Sequence, residues 1–182
     1  MQTTIVKLTN YQPRLNLPSK TSTKRGESNF MFSFYRAYYE LLKLRRSKRK
    51  FLFAREVELN GYGIADLMLF EFSTLIKPPS DERRRGYITT FEIKIKDWRK
   101  AFKQAIRYKY YSNRTIVVIP EENIKNAKLK LELFRDLNVG LWSFDKKNNK
   151  LIKLFTPKFH KPLNYNAKEK ALFLLYGKFK FL

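Results

Sequence analysis

Cysteine is absent from the 182 residues, and histidine occurs once, at His160 between Pro157 and Pro162. The first absence excludes disulfides and thiolate-ligated zinc, and it leaves the redox compartment unread. A lone histidine leaves little room for histidine-based catalysis, so a metal site here has to be built from oxygen ligands. That favours Mg²⁺ or Mn²⁺ over zinc. No run is long and apolar enough to span a bilayer, and the start of the chain lacks the apolar stretch of a signal peptide. An intracellular protein, cytoplasmic or nucleoid-associated, with no membrane partner is therefore expected.

Acidic residues are also scarce: 16 Asp plus Glu stand against 39 Lys plus Arg, a formal charge of +23. Such an excess attracts a polyanion, and nucleic acid is the expected partner. Anionic membrane is the rival, but the cations are spread along the chain rather than gathered on one amphipathic helix. A biased genome is the bland explanation of a chain so rich in Lys, Asn, Ile, Phe and Tyr. Hydrophobic residues make up 43%, with 16 Phe and 11 Tyr, enough for the core of one domain.

Patterning divides the chain into a polar arm (1–28, with a short strand near 4–8), a core domain (29–155) and a basic, aromatic tail (156–182). A helix capped by Ser28 or Asn29 is expected to run to about residue 46, with Met31, Phe34, Tyr35, Tyr38, Leu41 and Leu42 as its stripe. Strands are expected over 51–59 and 62–72, joined by a tight Asn60-Gly61 turn, and over 87–95. A helix follows over 98–111, then a short buried strand of the parallel kind over 116–119. A helix over 121–137, a strand over 139–144 and an edge strand over 151–155 complete the core. In the tail, Asn166 with Glu169 has the spacing of a capping box that opens a helix stopped by Gly177. The α-β-β-β-α-β-α-β order predicts an α/β fold: a mixed central sheet with helices on both faces.

Three charges interrupt this apolar framework. Asp66 lies in Gly63-Ile64-Ala65-Asp66-Leu67-Met68-Leu69-Phe70, and Glu92 and Lys94 lie in Thr90-Phe91-Glu92-Ile93-Lys94-Ile95. With a period of two, Glu92 and Lys94 share one strand face while Phe91, Ile93 and Ile95 share the other. A buried charge is costly unless it is paired or bound to a metal. A divalent cation held by Asp66 and Glu92, with Lys94 beside an attacking water, would account for all three. On the next helix, Gln104 and Tyr108 are four apart and share a face.

The element order, with Asp66 in the second strand and Glu92-x-Lys94 in the third, resembles the restriction-endonuclease-like superfamily, the PD-(D/E)xK nucleases, over roughly residues 29–144. Ala65 stands where that family often has proline. Gln104-x-x-x-Tyr108 looks like the helix motif of its RecB and lambda-exonuclease branch. The resemblance implies a restriction-endonuclease-like core in which Asp66, Glu92 and the backbone carbonyl of Ile93 face Mg²⁺ or Mn²⁺. It also implies that Lys94 positions water, Gln104 supports the site, Tyr108 meets substrate, and DNA is cut to leave 5′-phosphate ends. Some relatives add an acid from the first helix. Glu40 fits that role because it borders the apolar stripe, and Glu58 is its rival.

Lys43, Arg45, Arg46, Lys48, Arg49, Arg83, Arg84, Arg85, Lys96, Arg99, Lys100 and Arg107 are the candidates for phosphate contacts. The expected function is metal-dependent DNA cleavage, most simply as an endonuclease. The alternative is a nuclease-fold subunit that binds nucleic acid without cutting it, and a basic RNA-binding protein is a third reading. Members of this superfamily often pair, so a homodimer or a larger nucleoprotein complex is compatible with either of the first two.

Overall fold

The computed structural model describes residues 22–44, 49–73 and 86–177. The elements are α1 (Ser22–Lys43), β1 (Arg49–Leu59), β2 (Gly63–Ser73), β3 (Tyr87–Ile93), α2 (Trp98–Tyr108), β4 (Arg114–Pro120), α3 (Lys125–Lys128), α4 (Leu131–Asp136), β5 (Gly140–Asp145), β6 (Lys150–Phe155) and α5 (Tyr165–Gly177). The fold is α/β. One mixed six-stranded sheet runs in sequence order, β1 to β6. The β1–β2, β2–β3 and β5–β6 pairs are antiparallel, while β3–β4 and β4–β5 are parallel. None of the helices among the described residues is long and apolar enough to cross a membrane.

The parallel centre is apolar on both faces because both faces are covered. On one side Ile116 and Val118 of β4 join Phe91 and Ile93 of β3 beneath α1. On the other, Val117 and Ile119 pack with Trp98, Ala101, Phe102 and Ala105 of α2 and Phe134 of α4. The stripe of α1 is aromatic: the Phe34 ring sits 5.5 Å from that of Phe91, and Tyr38 lies 5.4 Å from both Phe91 and Trp142. Rings tilted or edge-on at this separation add to what area burial alone contributes.

Helix α1 starts at Ser22, seven residues earlier than Asn29, so Ser28 and Asn29 are interior positions rather than caps; Ser33 donates from Oγ to Asn29 O at 3.0 Å. The helix expected over 121–137 is broken into a short 3₁₀ turn, α3 and α4. The chain reorients at Lys130, letting Ile124, Ala127 and Phe134 all reach the core while Leu129 stays exposed. Helix α5 is capped by Asn164, not Asn166: its Oδ1 accepts from Ala167 N at 3.1 Å. Ala167, Ala171, Leu172 and Leu175 then bury against the β1–β2 side of the sheet. Lys168, buried in that contact, donates from Nζ to Gly86 O at 3.0 Å, and burial holds its pKa below the usual lysine value. The strand expected near residues 4–8 lies outside the described residues.

Candidate functional site

The site forms where β2 and β3 part. Their ladder runs from Glu71↔Tyr87 to Leu67↔Phe91 and stops there. On the other edge of β2, the β1 register skips from Arg55↔Leu67 to Val57↔Ala65. At the skipped step Glu56 adopts φ +46°, a left-handed conformation rare for a residue with a side chain. Beyond it the inward-facing positions change parity: Leu52 and Ala54 before the kink share a cluster with Val57 and Leu59 after it. The strands therefore rotate at the level of Asp66, and β3 loses its pairing with β2 while keeping that with β4.

Side chains replace the missing rungs. Asp66 Oδ2 accepts the Ile93 N–H at 2.7 Å, taking the place of a β2 carbonyl. Tyr108, reaching up from α2, fills the gap with its hydroxyl, which lies 2.6 Å from both Ile64 O on β2 and Glu92 Oε2 on β3. Glu92 points to the α2 side, opposite Phe91 and Ile93, and is fully buried at 0% exposure. Lys94 Nζ stands among the acids: 3.1 Å from Glu92 Oε1, 3.5 Å from Asp66 Oδ2 and 3.6 Å from Glu27 Oε2. It donates to Ile93 O at 3.1 Å.

Three carboxylates thus face one ammonium, with Glu92 fully buried and Asp66 and Glu27 partly exposed. Burial pushes Glu92 up to about 7, with Asp66 adding to the rise and Lys94 and the Tyr108 contact opposing it. Asp66 is raised too, first by burial, against the pull of Lys94 and the Ile93 N–H. Burial works to lower Lys94, but Asp66, Glu92 and Glu27 together hold it above its ordinary value. Tyr108 and Tyr111 are raised by burial and then by Glu92, so both phenols stay neutral.

A phenol has one proton, and Tyr108 meets two acceptors. Both short contacts are satisfied at once when Glu92 carries a proton on Oε2 and donates it to Tyr108 Oη, while Tyr108 donates to Ile64 O. The raised pKa of Glu92 agrees with that arrangement. Tyr108→Phe keeps the ring and removes the bridge, leaving Ile64 O and Glu92 Oε2 buried without their partner. We expect a loss of about 1–3 kcal/mol in urea unfolding at pH 6, where wild-type Glu92 is largely protonated. An unchanged midpoint would show that the bridge is not formed.

Of the residues expected from sequence, Asp66, Glu92, Lys94 and Tyr108 come together. Gln104 lies one turn before Tyr108 on α2, but among the described residues its Oε1 is buried with no hydrogen-bond partner. Glu40 does not join the site: its carboxylate is exposed and paired with Lys43 at 3.3 Å. Glu58 is exposed at the end of β1. The α1 acid that reaches Lys94 is Glu27, which the polar-arm reading of residues 1–28 concealed. Its signal was present, because 27, 31, 34 and 38 continue the stripe of Met31, Phe34 and Tyr38 at helical spacing.

Lys96, Arg99, Lys100 and Arg107 are exposed on or beside α2, together with Lys103, which the sequence reading omitted. Lys43 is exposed, and Arg49 opens β1. Arg45, Arg46, Lys48, Arg83, Arg84 and Arg85 lie outside the described residues.

Among the described residues no three His, Cys, Asp or Glu side chains are arranged to hold a metal ion. Glu27 pairs with Lys94 at 3.6 Å. The donors that remain, Asp66, Glu92 and the Ile93 carbonyl, are the hard oxygen type that Mg²⁺ or Mn²⁺ takes. Glu92 Oε1 is buried and, despite its proximity to Lys94, makes no hydrogen bond. A buried carboxylate oxygen whose near neighbour is the Lys94 ammonium, beside a second carboxylate, fits a cation.

No family model and no curated protein matches the chain. Among solved structures it is similar to the SPO1766 protein of unknown function from Silicibacter pomeroyi, with 16% identity and a TM-score of 0.43 over 70% of this chain and 73% of that one. A likeness that shallow carries no argument about function.

Proposed function

We propose that this chain is a divalent-metal-dependent DNA nuclease built on a restriction-endonuclease-like core. The observation that supports it most is the convergence of Asp66, the fully buried Glu92 and Lys94 at the mouth between β2 and β3. A pair of carboxylates held in an acid-rich pocket of a chain charged +23 has no evident purpose in stability alone. When bound, a divalent cation would supply charge stabilisation for the phosphoryl centre and acidify an attacking water.

The protein's own groups have separable tasks in this reading. Asp66 and Glu92 would hold the cation, together with the carbonyl of Ile93, which follows Glu92 in sequence. Lys94 neutralises the charge that grows on the phosphate oxygens and orients the water. Tyr108 fixes the Glu92 carboxyl against rotation by tying Oε2 to β2 through Ile64 O. Glu27 keeps Lys94 protonated and aimed at the pocket. Exposed Lys96, Arg99, Lys100, Lys103 and Arg107 would neutralise flanking phosphates.

One observation favours the second reading, a nucleic-acid-binding module that does not cut. Lys94 Nζ already lies within ion-pair distance of all three carboxylates and bonds the Ile93 carbonyl, which is how such a pocket would be neutralised without metal.

Cleavage of linear, single-stranded, branched and circular DNA with Mg²⁺ or Mn²⁺ separates the two. We expect the Asp66→Asn variant to lose at least about 10²-fold in rate while retaining DNA binding. Binding without cleavage of any form by the wild type would leave the second reading. Equal cleavage by both proteins would place the chemistry elsewhere.

A further inference from the structure

Helix α2 carries exposed Lys100, Lys103 and Arg107, spaced three and four apart along one face. After Tyr108 the chain tightens into a turn, with Tyr110 N donating to Arg107 O at 3.2 Å, so the next position along this stripe is a tyrosine. The Tyr110 ring is 43% exposed and rests at 5.3 Å and 36° against the half-buried ring of Tyr62. The chain returns beside it: Asn164 N donates to Tyr110 O at 2.8 Å, and Tyr165 follows with 59% of its surface exposed. A row of cations therefore ends in exposed aromatic rings, and these adjoin the candidate centre. Tyr108 is two residues from Tyr110, and Ile64, whose carbonyl meets the Tyr108 hydroxyl, is two residues from Tyr62.

Of these rings, Tyr62 lines a groove of about 850 Å³ between the β1–β2 turn and α5, with Asn60, Asn166, Phe173, Glu58, Glu169 and Lys170. Its amide edges and ring faces suit nucleobases, while two acids against the one lysine, Lys170, disfavour a phosphate backbone running through it. Lys100, Lys103 and Arg107 are not among the residues that line it. Phosphates on the helix and bases against the tyrosines describe a strand whose bases are unstacked from a partner strand. A continuous duplex keeps its bases stacked inside and presents phosphates on both sides of the groove.

We infer that this surface binds single-stranded DNA, with Tyr110 and Tyr165 stacking on bases next to the cleavage centre. The inference deepens the nuclease reading, on which it rests for its direction: the substrate is DNA with a single-stranded stretch or arm rather than an uninterrupted duplex.

The test is fluorescence anisotropy of the full-length protein in EDTA, with a labelled 20-nucleotide oligothymidylate and a labelled blunt hairpin duplex. Tyr110→Ala and Tyr165→Ala should each weaken oligothymidylate binding by about 5- to 100-fold and change hairpin binding by less than about twofold. Tyr110→Phe should restore wild-type affinity, since the ring and not the hydroxyl stacks. Lys100→Glu with Lys103→Glu should weaken both ligands. Tyr110 and Tyr165 are 43% and 59% exposed, so melting temperatures should change little, and circular dichroism checks that. Equal losses on both probes, or none on either, would overturn the inference. Because no metal is present, the outcome is independent of cleavage. Ring-dependent binding by a protein that cuts nothing would sink the nuclease reading and keep the strand site, whereas cleavage without ring dependence would do the reverse.

Discussion

Lys94→Met should abolish cleavage and, at pH 8, destabilise the fold by about 3–5 kcal/mol, while making the protein bind Mn²⁺ more tightly than the wild type does. The three effects have one cause. Lys94 Nζ is within 3.1–3.6 Å of Glu92, Asp66 and Glu27. Methionine keeps most of the apolar stem but removes the charge, so the carboxylates face one another with nothing between them. Lowering the pH to 5 should shrink the deficit, because Glu92 is held up to about 7 even with Lys94 present and takes up a proton there. Adding Mn²⁺ at pH 8 should raise the melting temperature of the variant more than that of the wild type, since cation and ammonium draw on the same oxygens. Tighter Mn²⁺ binding without cleavage would assign Lys94 to the chemistry. Weaker Mn²⁺ binding, or a deficit unchanged between pH 8 and pH 5, would show that Lys94 does not neutralise these acids.

Glu92 could be found from sequence because β3 keeps a strand's period of two, and Asp66 and Lys94 because each is a charge set among apolar neighbours. A charge between apolar neighbours on a strand is pointed at a specific face, and the face is buried whenever the neighbouring strand is too. Tyr108 was legible for the same kind of reason, as a helix position four from Gln104. The contact that makes Tyr108 matter was not. Its hydroxyl meets Ile64 O, 44 residues away, only because β2 and β3 splay beyond Leu67 and Phe91, and no local pattern encodes where a ladder stops.

Glu27 was missed through a boundary error. Ser22, Thr23 and Gly26 are weak helix formers, yet α1 runs through them. The break at Lys130 escaped for the converse reason: 124, 127, 131 and 134 keep helical spacing, and only the short path from β4 to β5 forces two pieces. The shelf formed by Tyr110, Tyr62 and Tyr165 joins three separate segments, so no spacing within one of them announces it.

Glu92→Gln should be more stable than the wild type at pH 8 and equal to it at pH 5, with a difference on the order of 3 kcal/mol across that range. The sign follows from the direction of the shift. The Glu92 carboxyl rises from 4.5 to about 7 on folding, so between those values the folded state holds a proton that the unfolded state has released. Stability is full below about pH 4.5, falls as pH rises through the window, and is lost above about 7. Asp66 is shifted in the same direction, which leaves the variant a residual slope of the same sign. Lys94, raised above 10.5, affects stability only in alkali.

The amide imitates the protonated acid. Its NH₂ donates to Tyr108 Oη, Tyr108 donates to Ile64 O, and its carbonyl faces Lys94. Thermal melts of both proteins from pH 5 to 8 measure the effect directly. Saturating Mn²⁺ should recover the lost stability of the wild type at pH 8 and do little for the variant, which has given up a ligand. A wild-type profile that is flat between pH 5 and 8 would mean that Glu92 is ionised throughout. Tyr108 would then have to share its single proton between Ile64 O and a carboxylate, and the pocket would carry its charge at every physiological pH.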